Sequence, residues 1–133
     1  PMRNNETESK QPLGDLQLQV MDFIWAQGSG TVAEVYEALC RKRKIAYTTV
    51  LTTMRSLARR GFVSRKKVGK AHLYRPILNR EDYTNARLSR LVDDLFDGRR
   101  EKLLCHLLGS ERLDEAELER IRRILSEQER PAQ

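Results

Sequence analysis

Hydrophobic residues recur with a helical period in three stretches of the first sixty positions. The first stretch, DLQLQVMDFIWAQ, runs from about Asp15 to Gln27 and stops at Gly28. The second follows Thr31, whose side chain can form a capping box with Glu34. The third, YTTVLTTMRSLARR, stops at Gly61. The pattern predicts three amphipathic helices, of which the second is short.

The period then changes to alternation in FVSRKKVGKAHLYRPI, which is typical of two strands. A turn is expected between Lys67 and Lys70, where Gly69 can adopt a positive φ, and Pro76 should end the second strand. Three helices followed by a basic hairpin predict a winged helix-turn-helix over residues 13–78.

From residue 79 onwards the pattern is helical again, with breaks at Gly98 and Gly109. The last helix should begin with a capping box between Asp114 and Glu117. Three short helices have little to pack against in a monomer of this size, so residues 79–128 are predicted to form a dimerisation region. The apolar side chains predicted to contact a second copy are Leu91, Val92, Leu95, Phe96, Leu103, Leu104, Leu107, Leu108, Leu118, Ile121 and Leu125.

The predicted fold class is therefore mainly α, with one β-hairpin wing. Residues 1–12 are predicted to be a disordered tail, and residues 129–133 a second short tail. No apolar run approaches the length of a membrane span, and the start of the chain lacks the apolar stretch of a secretory signal. We therefore expect a cytoplasmic protein.

Charge is distributed unevenly along the chain. Residues 1–80 carry 15 Lys and Arg against 6 Asp and Glu, a net charge of +9, whereas residues 81–133 carry 10 against 13, a net charge of −3. The basic half is the one expected to meet a polyanion.

The third predicted helix carries an unusual outward face. Thr48, Thr49, Thr52, Arg55 and Arg59 share the side opposite its apolar stripe. Threonine is a middling helix former, so an ordinary solvated face would favour Glu, Lys or Gln. Hydroxyl, methyl and guanidinium groups suit contacts to bases and phosphates in a major groove, which predicts a recognition helix.

Further cations flank this helix. Arg65, Lys66, Lys67 and Lys70 lie on the hairpin, where a wing follows the phosphate backbone, although lysines also protect a sheet edge from pairing. Lys44 ends the basic run that starts at residue 41, which is either a phosphate contact or a solvated loop.

Metal and catalytic chemistry find little support. Cys105 and His106 are adjacent, but neighbours on a helix point about 100° apart, and no third ligand stands at helical spacing. Cys40 is expected in the core and His72 half-buried in a strand. The chain lacks a phosphate-binding glycine loop, an HExxH motif and a nucleophile elbow, so neither an enzyme nor a cofactor is predicted.

Four segments in this order resemble the penicillinase-repressor (BlaI/MecI/CopY) family of winged-helix regulators: LGDLQLQVMDFIW, AYTTVLTTMRSLARRGFV, KVGKAHLYRP and LDEAELERIRRIL. The resemblance covers Leu13 to Leu125. It implies a homodimeric repressor that binds a palindromic DNA operator and controls β-lactam resistance, metal efflux or another stress response. It also implies that Tyr47, at the entry of the recognition helix, joins the DNA contacts.

The resemblance leaves the inducing signal open. Antibiotic-responsive members are cleaved at an Asn-Phe bond when a membrane sensor triggers a protease, which makes such a protease a candidate partner, but the matching bond here is His106-Leu107. Copper-responsive members carry a cysteine cluster near the carboxyl terminus, and this sequence ends in SEQERPAQ. The alternatives to a repressor of this kind are a metal-responsive variant and a protein-interaction adaptor built on a winged helix.

Overall fold

The computed structural model describes residues 11–131. In chain order, the elements in this range are α1 (Asp15–Gln27), α2 (Val32–Cys40), α3 (Tyr47–Arg59), β1 (Val63–Val68), β2 (Ala71–Pro76), α4 (Arg80–Phe96), α5 (Arg100–Ser110) and α6 (Glu115–Gln128). The predicted class, mainly α with a winged helix-turn-helix, is confirmed.

The predicted helix ends are set by local chemistry. Gly28 adopts φ 85° and its N–H donates to the Ile24 carbonyl at 2.7 Å, which closes α1. Thr31 and Glu34 exchange the two hydrogen bonds of a capping box, at 3.2 and 2.9 Å, which fixes the start of α2. Gly61, at φ 84°, ends the turn after α3.

Helices α1 to α3 enclose one apolar core with the base of the hairpin. Phe62, Val63 and Tyr74 close it from the strand side, each at most 2% exposed. No polar or charged side chain is buried anywhere in residues 11–131. The remaining core side chains are Val20, Met21, Ile24, Val32, Val35, Leu39, Val50, Met54 and Leu57.

The hairpin is antiparallel, and its register runs from Val63 opposite Pro76 to Val68 opposite Ala71. Gly69 adopts φ 64° in the two-residue turn, as the sequence predicted. Gly30 pairs with Tyr74 through two backbone hydrogen bonds of 2.9 Å, which anchor β2 to the segment between α1 and α2. The wing is thereby fixed at its base and free at its tip.

Packing divides the chain into two compact units, with the boundary after Leu88. The first turns of α4 pack with the winged helix, since Tyr83 contacts its core. The domain boundary predicted between residues 78 and 79 falls just before this helix begins at Arg80. As a domain boundary it stays a prediction.

The second unit, from Ser89 on, is almost without a core. Among its described residues only Val92 is buried. Asp114 and Glu117 form the predicted capping box of α6, at 2.8 and 3.2 Å. Helix α5 continues through Gly109 to Ser110, so this glycine does not end it.

Most of the predicted amino-terminal tail, residues 1–10, lies outside the described residues. Helix α6 ends at Gln128, where the carboxyl-terminal tail was predicted to start, and residues 132–133 also lie outside the described range. Over residues 11–131, every helix is too short or too polar to cross a membrane.

Candidate DNA-binding surface

Helix α3 separates its two faces as its sequence predicted. Val50, Met54 and Leu57 are fully buried, which anchors the helix along one side. On the opposite side the five predicted side chains are all exposed: Thr48, Thr49, Thr52, Arg55 and Arg59. The packing of α3 thus presents a threonine and arginine face to its surroundings.

The hydroxyls on this face differ in their hydrogen bonding. Thr52 Oγ1 donates to the Thr48 carbonyl at 2.9 Å, so its proton is engaged and its oxygen can only accept further hydrogen bonds. The hydroxyls of Thr48 and Thr49 have no partner within residues 11–131 and can donate. A phosphate oxygen can therefore be bound by Thr48 or Thr49, whereas Thr52 suits an amino group on a base edge.

Tyr47 begins α3 and is 46% exposed. Its ring meets that of Tyr36 edge to face, with centroids 5.5 Å apart. The contact joins the entry of α3 to helix α2 and holds the Tyr47 ring in place.

The register of the hairpin assigns the wing cations to two faces. Arg65 lies opposite Tyr74, a core residue, and therefore on the face turned towards the helices. Lys67 shares that face because it is two residues further along β1, whereas Lys66 lies on the other face. Lys70 is in the turn. All four wing cations are exposed.

A cleft of about 670 Å³ separates the second half of α3 from β1. Three arginines are among its lining residues, Arg55, Arg59 and Arg65. No carboxylate is among its lining residues, and none of the three arginines forms an ion pair within the described part of the chain. The cleft is therefore a cationic site that an anion can neutralise.

The basic run between α2 and α3 is also exposed. Arg43 donates to the side chain of Gln19 at 3.2 Å, which ties this arginine to α1. Lys44 has no such contact in the described residues and extends the positive charge beside Tyr47.

Two expectations about single residues were wrong. Cys40 is exposed rather than in the core, because it is the last residue of α2 and its thiol points along the helix to the Glu37 carbonyl, at 3.3 Å. His72 lies on the core-side face of β2 but is exposed, because the core ends at Tyr74. Within residues 11–131, no group of three or more His, Cys, Asp and Glu side chains could hold a metal ion.

The predicted dimerisation side chains fall into three groups. Val92 is buried within the chain and has little surface left for a partner. Leu91, Phe96, Leu103, Leu118 and Ile121 are partly buried. The other five are between 46 and 70% exposed: Leu95, Leu104, Leu107, Leu108 and Leu125.

Comparison with known proteins decides the family. The sequence model described as Penicillinase repressor matches residues 13–127. The chain belongs to the penicillinase repressor family. Members of the penicillinase repressor family are DNA-binding transcriptional repressors rather than enzymes, so the resemblance seen in the sequence is confirmed.

Relatives in the penicillinase repressor family match over most of their length. The chain is 35% identical over 119 residues to Transcriptional regulator BlaI of Mycobacterium tuberculosis (strain H37Rv), covering 88% of this chain and 85% of that one. It is 24% identical over 115 residues to Penicillinase repressor of Bacillus licheniformis, covering 86% and 90%. The solution structure of the DNA binding domain of the repressor BlaI aligns with 28% identity and a TM-score of 0.49, covering 53% of this chain and 87% of that one.

Proposed function

We propose that the protein represses transcription as a homodimer that occupies a palindromic operator with its two winged helices. The observation that carries the proposal is the exposed threonine and arginine face of α3 beside a cationic cleft, in a chain of the penicillinase repressor family. A protein that acts on DNA in this way works in the cytoplasm.

Helix α3 would enter the major groove with its outward face towards the bases. Thr52 is the best candidate for base reading, because its engaged proton prevents donation to a phosphate and leaves an acceptor for the amino group of adenine or cytosine. Thr48 and Thr49 can donate to the backbone, and Tyr47 and Lys44 extend the contact at the helix entry.

The wing and the cleft would supply most of the affinity through phosphate contacts. Arg55, Arg59 and Arg65 surround one site without a competing carboxylate. Lys67 extends this positive surface along the same face of the wing, and Lys66 and Lys70 add charge at its other face and tip.

A second copy of the chain is the partner proposed for the second unit. One buried side chain is too small a core for the unit that runs from Ser89 to Gln133, whereas five leucines on α4, α5 and α6 remain largely exposed. Pairing two copies would cover these side chains and place two winged helices on one duplex, which matches the symmetry of a palindrome.

The regulated system is proposed to be β-lactam resistance or another stress or efflux response. The relatives carry the names Penicillinase repressor and Methicillin resistance regulatory protein MecI. In the antibiotic-responsive case a protease linked to a membrane sensor would release the DNA, and the bond to test is His106-Leu107, whose side chains are exposed on α5.

Gel-shift titrations test the proposal, with the operator taken as the duplex that the purified protein enriches from a random library. Thr52→Val deletes the hydroxyl and nearly preserves the shape, so it should weaken operator binding more than binding to random duplex. Lys67→Ala and Lys70→Ala should weaken both alike. Equal losses on both duplexes for all three variants would contradict base reading by Thr52.

Salt dependence separates this function from that of a protein-interaction adaptor. A repressor that contacts several phosphates should lose affinity by orders of magnitude between about 50 and about 200 mM salt. A protein that enriches no duplex, even in dilute buffer, would overturn the proposal.

A further inference from the structure

The chain's only tryptophan, Trp25, contacts the segment that leads from the wing to α4. Its indole Nε1 donates to the Leu78 carbonyl at 2.8 Å. Its ring lies 5.7 Å from the ring of Tyr83, centroid to centroid, in a tilted arrangement. Trp25 therefore holds both the connecting segment and the first turn of α4 against α1.

Tyr83 extends these contacts to two further elements. Its hydroxyl accepts a hydrogen bond from the Leu13 backbone N–H at 3.0 Å, at the start of the first helix. Its ring meets Phe62 edge to face at 5.8 Å, at the base of the wing. One side chain of α4 is thus bound to the start of the winged helix and to the base of its wing.

Charged and capping groups complete the arrangement. The Arg80 guanidinium lies 5.5 Å from the centre of the Trp25 ring and forms an ion pair with Asp22, three residues before Trp25 on the same face of α1. Asn79 accepts from the Asp82 N–H at 2.7 Å, which fixes where α4 begins. We call Asp22, Trp25, Leu78, Arg80 and Tyr83 the Trp25–Tyr83 cluster.

These contacts leave no flexible linker after the wing. Even Ile77, just past β2, donates its N–H to the Phe62 carbonyl at 2.9 Å. Helix α4 begins at Arg80, and its residues up to Leu88 belong to the same compact unit as the winged helix. The first turns of α4 are therefore fixed against the winged helix by side chains that lie outside the proposed DNA contacts.

We propose that the Trp25–Tyr83 cluster determines the half-site spacing that the dimer accepts in its operator. The inference rests on the proposed function. One extra base pair between half-sites turns the second half-site by about 34° and moves it by about 3.4 Å. In a dimer paired through the helices that follow, such a shift would pull on the first turns of α4, which the cluster holds. Releasing the cluster would lower the cost of the shift, so Trp25 and Tyr83 act as positioning residues for specificity.

Two conservative variants test this. Trp25→Phe removes the indole donor and Tyr83→Phe removes the hydroxyl acceptor, and both keep an aromatic ring. Each is titrated on the selected operator, on duplexes with one base pair inserted or deleted at its centre, and on a single half-site. The spacing penalty is the ratio of the affinity for the selected operator to the affinity for a shifted duplex. Loss of one hydrogen bond of the cluster favours the released form by about fivefold, so each variant should reduce this penalty by about fivefold.

The controls separate positioning from stability. Affinity for the single half-site should not change in either variant. Val20→Ala opens a cavity in the fully buried core and removes no hydrogen bond or ring contact of the cluster, so it should lower thermal stability and keep the full spacing penalty. In the wild type, saturating binding to a shifted duplex should move Trp25 emission to longer wavelength, because the indole becomes exposed.

The outcomes are distinguishable. If the wild type enriches no paired half-sites, the proposed homodimeric function fails. If it enriches one spacing, and Trp25→Phe and Tyr83→Phe keep the wild-type penalty, the cluster does not set the spacing. Tyr83→Phe deletes one hydroxyl from a partly exposed side chain, so it decides the question alone should Trp25→Phe not fold.

Discussion

Removing the positive charges of the cleft between α3 and β1 should reduce the salt dependence of DNA binding. The size of the reduction gives the number of phosphates that the cleft binds. Each phosphate that the protein neutralises contributes about 0.9 to the slope of log affinity against log salt. Three arginines line one cleft, so we expect them to share one phosphate. The triple variant Arg55→Ala, Arg59→Ala and Arg65→Ala should therefore lower the slope by about 0.9, whereas three separate phosphates would lower it by about 2.7.

Single variants sharpen this expectation. The two remaining guanidinium groups keep the phosphate bound, so each single variant should weaken binding and leave the slope nearly unchanged. Loss of one phosphate contact would make the decrease in affinity between about 50 and about 200 mM salt about 3.5-fold smaller than in the wild type. Fluorescence anisotropy titrations can resolve a difference of this size.

The matched control for each single variant is Arg120→Ala, which removes one positive charge from an exposed position on α6. It should leave the slope intact. A triple variant with an unchanged slope would refute phosphate binding in the cleft, and a decrease near 2.7 would refute the sharing of one phosphate. The losses should also be equal on operator and random duplex, since phosphates carry no sequence information.

Three further outcomes follow from the capping, turn and surface geometry. Asp114→Ala removes the acceptor for the Glu117 N–H and should cost about 1 kcal/mol of stability, measured by urea unfolding. Gly61→Ala places a side chain at φ 84° and should cost about 1 kcal/mol or more, although its Cβ would meet no atom within 4 Å. The same change at Gly109, inside α5 and equally unobstructed, should instead stabilise by about 0.5 kcal/mol, and equal signs at the two glycines would contradict the conformational argument. Leu107→Asp, at a position 58% exposed, should shift the protein to monomers in analytical ultracentrifugation and weaken operator binding, whereas an unchanged dimer would remove this residue from the interface.

Local signals allowed many of the helix ends and turns to be predicted from sequence. The bounds of α1, the capping boxes at Thr31 and Asp114, and the turn at Gly69 each depend on residues within four positions of one another. The outward face of α3 was equally accessible, because a period of 3.6 residues separates Thr52 from Met54 without any knowledge of the fold.

The missed features depend on contacts between distant parts of the chain. Trp25 and Leu78 are 53 residues apart and Leu13 and Tyr83 are 70 apart, so no periodic pattern could indicate their hydrogen bonds. The convergence of Arg55, Arg59 and Arg65 needs α3 and β1 to be neighbours.

Two other misses have more local causes. His72 was expected to be half-buried in its strand, but alternation does not reveal that the core stops at Tyr74. The bond from Thr52 to the Thr48 carbonyl is the exception among the missed features, because a threonine within a helix commonly returns its proton four residues back.

In the proposed dimer, a region that has Val92 as its one buried side chain among the described residues would gain its stability from the second copy. Folding of the proposed dimer region would then depend on the concentration of the protein, and so would the half-life of each molecule. Dilution by cell growth would favour dissociation and unfolding of these helices. Proteases would then degrade them and lower the concentration of the repressor further. Control of the target genes would accordingly respond to gene dosage and synthesis rate even before any inducer is encountered.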